Sequence, residues 1–232
     1  MQKPEEVEHI NLLSILNYGS GNIKAFYNIF NRLNIDISIV SNPNELSKST
    51  KIILPGVGSF DSAMTSLNNS GLRSELENLV LNKKVPVLGI CVGFQMMLES
   101  SEEGKLAGLG WIKGKVKKFN QRSLGPLSSD LKNCLDSKSL RKYPQLPHMG
   151  WNKVQKIGES KLISNLNEPL FYFLHSYYVE PFDQENIIAK TDYDLTFCSA
   201  ICKDNIFGVQ FHPEKSHSNG TYLLKNFAKI EC

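Results

Sequence analysis

The first hundred residues impose the strongest constraint, because short apolar runs alternate there with segments of helical spacing. "NLLSILN" (11–17), "DISIV" (36–40), "KIILP" (51–55) and "VPVLGI" (85–90) have the length and apolarity of buried strands. Between and after them, "IKAFYNIFNRL" (23–33), "GLRSELENLVLNKK" (71–84) and "FQMMLESS" (94–101) read as helices. "NPNEL" (42–46) reads as a turn or short helix. Strands apolar on both faces and joined through helices predict a mainly parallel sheet with helices on both faces.

The second half follows another rule. "WIKGKVKKF", "LFYFLHSYYVEP", "NIIAKT", "LTFCSAIC" and "IFGVQF" form a series of strands with short turns, and "GTYLLKNFAKI" closes the chain as a helix. The expected fold is therefore α/β, doubly wound, with antiparallel additions in the C-terminal half. Residues 1–10 read as a polar tail and 11–232 as one domain, with 120–146 a long surface insertion that lacks clear periodicity.

Composition narrows the function. A net charge of +3, with dispersed lysines, gives no basic footprint for nucleic acid. No run approaches the roughly 20 apolar residues of a membrane span. The polar, acidic start does not resemble a secretory signal. The five cysteines, Cys91, Cys134, Cys198, Cys202 and Cys232, are irregularly spaced and form no C-x-x-C. That favours a reducing cytoplasm over a disulfide framework and implies no metal site. Cys198 and Cys202 lie in a strand-like run and read as small hydrophobes.

Cys91 is different. "GICVG" places a thiol between two glycines where a strand hands over to a helix. The same layout with serine is a nucleophile elbow, a turn too sharp for flanking side chains. Such a turn lifts the sulfur clear of the sheet and aims the following amides, including that of Val92, and the positive helix end at the reacting centre. Alone, the short pattern fits a buried structural cysteine equally well. "GVQFHPEKS" (208–216) supplies the missing partners. His212 ends an apolar strand, where it can take the thiol proton, and Glu214 can orient the imidazole. "ILPGVGSFD" (53–61) adds a glycine turn at Gly56, Val57 and Gly58, whose amides can complete an oxyanion hole. Its spacing is not that of a phosphate loop.

"PGVGSF", "GICVGFQMM", "ESSEEG", "PHMGWN", "HSYYVEP" and "GVQFHPEKS" occur in this order. Together they resemble the triad (class I) glutamine amidotransferase family, closest to the glutaminase subunits of imidazole glycerol phosphate synthases. The resemblance spans about residues 12–230. It implies a doubly wound fold, no cofactor, and hydrolysis of glutamine to glutamate and ammonia, with Cys91, His212 and Glu214 as the triad. It further implies that Gly58 and Gln95 hold the substrate and that His175, Ser176 and Tyr177 hold its amino-acid end. The expected partner is a (β/α)₈ cyclase-type synthase subunit, in a heterodimer. Asn22, Trp151, Asn152, Tyr172 and Lys215 match the docking face, and ordinary packing is the competing reading for Tyr172. Residues 120–146 are longer than the family's usual connection. A synthase-like partner that aminates a sugar for surface polysaccharide is the alternative acceptor. A non-catalytic regulatory subunit is disfavoured by the intact triad.

Overall fold

The protein is described here from a computed structural model covering residues 12–119, 146–166 and 169–231. The expected polar tail, and the expected insertion up to residue 145, lie outside the described residues.

The first half winds as its alternation predicts. Strands β1 (Leu13–Leu16), β2 (Ile37–Val40), β3 (Lys51–Gly56) and β4 (Val87–Cys91) all run parallel. Helix α1 (Ile23–Arg32) connects β1 to β2, and the one-turn α2 (Pro43–Leu46) connects β2 to β3. Between β3 and β4 lie α3 (Phe60–Asn69) and α4 (Arg73–Glu77). The helix expected over 71–84 is therefore shorter than its pattern. It widens after Glu77 into a looser turn over Asn78–Asn82, closed by a bond from the Lys83 amide to the Asn78 carbonyl.

The segment after β4 departs further. The helix expected over 94–101 is reduced to the single turn α5 (Val92–Gln95). Its continuation is blocked because neighbouring backbone takes the carbonyls a helix would use. The Leu109, Ile112 and Gly110 amides donate to the carbonyls of Met96, Met97 and Leu98. The three side chains are wholly buried, so the segment fills the core without helical order.

The remaining strands are β5 (Ser100–Ser101), β6 (Gly114–Lys118), β7 (His148–Lys153), β8 (Gln155–Lys156), β9 (Leu170–His175), β10 (Tyr177–Pro181), β11 (Ile187–Tyr193), β12 (Leu195–Lys203) and β13 (Ile206–Val209). The main sheet runs β2-β1-β3-β4-β13-β12-β10-β6-β5, with β11 and β8 branching from β12. Parallel pairing extends to β13 beside β4, and the chain then turns antiparallel through β12, β10 and β6. Helix α6 (His217–Ala228) packs against α1, whereas α2 packs against α4 and α3 against α5.

A second, two-stranded sheet stands apart, formed by β7 and β9 in antiparallel register. This ribbon is tied to the end of β13. The His212 amide donates to the Tyr172 carbonyl at 2.8 Å, and the Tyr172 amide donates to Ser216 Oγ at 3.0 Å. The carboxyl ends of β3, β4 and β13 share one edge, where open α/β sheets place their ligands.

Candidate active site

Cys91 ends β4 in a backbone conformation that L residues rarely adopt, with φ 54° and ψ −112°. Such a residue stores about 1–3 kcal/mol and persists only where its surroundings over-determine it. Here they do. A Cβ on Gly93 would lie 2.1 Å from the Leu54 carbonyl oxygen, and one on Gly56 would lie 2.2 Å from the Gly93 nitrogen. The crossing of β3 over α5 admits no side chain at either position, so the elbow is set by backbone contact. The helix field expected at the sulfur is that of one turn, whose first amides have no intrahelical partner.

His212 and Glu214 follow β13 at the same edge. His212 Nδ1 bonds Glu214 Oε1 at 2.9 Å, with the side chains 3% and 2% exposed. Nδ1 therefore donates to the carboxylate, and Nε2 is the nitrogen left to exchange a proton with Cys91. Nε2 and Glu214 Oε2 have no hydrogen-bond partner. Burial opposes the imidazolium, but Cys91 and Glu214 outweigh it and raise His212 to about 10. The attraction to Cys91 acts between neighbouring groups rather than through a closed hydrogen bond, a gap that substrate binding commonly tightens. A proton leaving Cys91 is therefore held well on this imidazole.

The triad opens into a cleft of about 330 Å³, within the range of small-molecule sites. Val57, Gly58, Val92 and Gln95 line it together with His175, Ser176 and Tyr177. Gly56 does not line it; its role is the close approach to α5. Gln95 Nε2 donates to the Tyr177 carbonyl and to Gln210 Oε1, both at 3.1 Å. These two bonds hold the Gln95 amide in place at the cleft wall. Gln210 Nε2 in turn makes a long contact of 3.9 Å with Cys91 Sγ.

At the turn whose amides can complete an oxyanion hole, the Val57 amide donates to Ser20 Oγ at 3.1 Å. The same hydroxyl donates back to the Val57 carbonyl, also at 3.1 Å. Ser20 supplies a local donor and acceptor, so the peptide faces the loop between β1 and α1. Gly58, at φ 85°, is a conformational pivot beside it.

The family model described as "Glutamine amidotransferase class-I" matches residues 14–230. The chain belongs to the class-I glutamine amidotransferase family. This amidotransferase is 51% identical to "Imidazole glycerol phosphate synthase subunit HisH" of Leptospira interrogans, over 94% of this chain and 100% of the relative. It is 48% identical to the protein of that name from Leptospira borgpetersenii, again over 94% and 100%. Its fold is also that of PurLQS from Thermotoga maritima, with a TM-score of 0.67 at 15% identity, covering 94% and 97% of the two chains.

The residues expected at a docking face divide. Asn22 and Lys215 line the cleft. Trp151 and Tyr172 are cross-strand partners on the outer face of the ribbon, edge to face at 6.1 Å, with Lys215 Nζ 5.7 Å from the Tyr172 ring centre. Asn152 turns to the opposite face, because successive strand residues alternate. There its Nδ2 donates to the Asp192 carbonyl at 3.0 Å and bonds His148 Nε2 at 3.2 Å. It therefore braces the ribbon from within.

Sequence reasoning missed Gln210, Glu103 and the role of His148. Gln210 had a signal, since a glutamine two residues before His212 shares its face in an otherwise apolar run. Glu103 also lines the cleft, and its Oε2 accepts the Phe60 amide at 2.8 Å at the start of α3. Among the described residues, no cluster of His, Cys, Asp or Glu has the makings of a metal site. No helix there is long and apolar enough to cross a membrane.

Proposed function

We propose that this chain is the glutaminase subunit of an imidazole glycerol phosphate synthase and feeds ammonia to a cyclase-type subunit in histidine biosynthesis. The observation that carries the chemistry is the strained Cys91 elbow facing His212, whose other nitrogen is bonded to buried Glu214. The histidine-pathway acceptor is favoured over a surface sugar by the names of relatives 46–51% identical along nearly the whole chain.

The residues divide the work as follows. Cys91 Sγ attacks the side-chain carbonyl carbon of glutamine as His212 Nε2 takes the thiol proton. The tetrahedral oxyanion is met by the Val92 amide and, once its peptide has rotated away from Ser20, by the Val57 amide. Collapse breaks the C–N bond, and His212 returns the proton to the departing ammonia. The γ-glutamyl thioester left on Cys91 is attacked by water that His212 deprotonates. Glutamate leaves and the thiol is restored. Glu214 stabilises the imidazolium in both halves.

A partner is favoured by the surface beside the cleft. Met149, Trp151 and Leu174, which are 65%, 43% and 36% exposed, lie on the outer face of the ribbon, and Leu174 also lines the cleft. A synthase subunit seated there would cover apolar surface and the mouth of the cleft together, keeping ammonia from water.

The test uses the complex with its co-purified synthase partner. Cys91→Ala is expected to abolish glutamine-dependent synthesis while ammonia-dependent synthesis continues. Persistent use of glutamine would remove Cys91 from the nucleophile's role. A partner that aminates a sugar would move the chain to the other pathway.

A further inference from the structure

Two histidines outside the triad lie back to back between the ribbon and the cleft. His148 and His175 are directly opposed across β7 and β9, and His148 Nδ1 meets His175 Nε2 at 2.9 Å. His175 Nδ1 meets the Tyr177 carbonyl at 2.8 Å. A carbonyl accepts only, so Nδ1 of His175 must be its protonated nitrogen. His175 Nε2 is then an acceptor, and His148 must donate to it from its own Nδ1. That leaves His148 Nε2 as an acceptor, which receives Asn152 Nδ2 at 3.2 Å. Because the carbonyl can only accept, the tautomer of both imidazoles and the direction of three hydrogen bonds can be read from this one contact.

The chain can hold that pattern because neither ring readily protonates. His148 is sandwiched between Tyr193 and Phe173, with ring centres 3.8 and 4.7 Å away. His175 is flanked by Phe119 and Phe197 at 5.4 and 5.2 Å. Burial in this setting lowers His148 to about 4 and His175 to about 3. The Tyr177 carbonyl at the end of the relay is also the acceptor for Gln95 Nε2. The relay therefore ends on the peptide that orients Gln95 and carries the 175–177 wall of the cleft.

We propose that His148 is a positioning residue for glutamine binding. It touches no reacting atom. By donating to His175 it fixes the one tautomer that can hold the Tyr177 carbonyl, and with it the substrate-facing wall and the orientation of Gln95. This deepens the glutaminase reading and rests on it.

The test separates the hydrogen bond from the packing of the ring. In the complex with the synthase partner, His148→Phe keeps an aromatic ring between Tyr193 and Phe173 but removes the donor. His148→Asn keeps an N–H near the position of Nδ1 but removes the ring. His148→Phe is expected to raise the glutamine KM about tenfold, with kcat and ammonia-dependent synthesis little changed. His148→Asn is expected to recover most of that loss. The opposite ranking, or a wild-type KM in both variants, would overturn the proposal. If both variants lose binding, nitrogen-resolved NMR of His175 decides. A mixture of tautomers in His148→Phe supports the relay, and an unchanged Nδ1–H form overturns it. A wild-type complex unable to hydrolyse glutamine would sink the glutaminase reading instead, and the NMR comparison would still judge the relay.

Discussion

The elbow at the end of β4 and the ribbon of β7 and β9 flank the same cleft but are built on opposite principles. The elbow is held by absence. Where β3, β4 and α5 cross, glycines let backbone meet backbone, and Cys91 is forced into its strained conformation. The ribbon is held by presence. Its inner face is a file of aromatic rings and imidazoles joined by directed hydrogen bonds, and its outer face leaves Trp151 and Met149 exposed. Reactivity here is a matter of backbone sterics where β3, β4 and α5 cross. Recognition is a matter of polar groups satisfied across strands about 25 residues apart.

The harshest way to break this contrast is at the elbow. Gly93→Ala places a methyl group against the Leu54 carbonyl, so the backbone must move. A loss of about 3 kcal/mol or more is expected in urea unfolding, with glutaminase activity abolished. A stable, active variant would mean that the crossing is looser than its distances. At the ribbon, Trp151→Ala should leave stability within about 0.5 kcal/mol, because this residue is 43% exposed. The same change should weaken partner affinity by about 2 kcal/mol in a titration of the synthase subunit. Unaltered affinity would move the docking face elsewhere.

A gentler comparison uses pH, because the two regions carry histidines shifted in opposite directions. His148 and His175 are depressed to about 4 and 3, so the unfolded chain binds more protons below about 6.5. Their contribution is present above that pH and is lost as pH falls toward 4. His212 is raised to about 10, so the folded chain binds more protons above about 6.5. Its contribution is full below that value and is lost as pH rises through about 10. The melting temperature should therefore fall on both sides. Cys91→Ala, which removes a neighbour that raises His212, should flatten the alkaline limb, whereas His148→Phe should flatten the acid one. Limbs that respond to the wrong variant would break the assignment.

How far each region can be read from sequence follows from the same contrast. The glycines the elbow needs flank the cysteine directly, so "GICVG" announces it although β3 completes the crossing, and "FHPE" announces its partners by ending another apolar strand. The parallel half of the sheet is equally legible because its periodicities are local. The shortening of α5 is not, since the groups that cap it come from residues 109–112. Nor is the ribbon, whose register depends on pairing His148 with His175. Asn152 sits beside Trp151 in a motif that reads as one docking surface, yet strand alternation sends the two side chains to opposite faces. The tie between Val57 and Ser20 joins two glycine-rich loops 37 positions apart, and neither loop signals the other.

That tie bears on nitrogen economy. Glutamine is a carrier of nitrogen, and its hydrolysis without a waiting acceptor releases that nitrogen to no purpose. Ser20 holds both the amide and the carbonyl of Val57, so that amide is engaged away from the role proposed for it. In the proposed reading, one hydroxyl group on a loop with no catalytic side chain therefore sets the idle leak of ammonia. On that reading, the orientation of a single peptide would match the supply of nitrogen to demand.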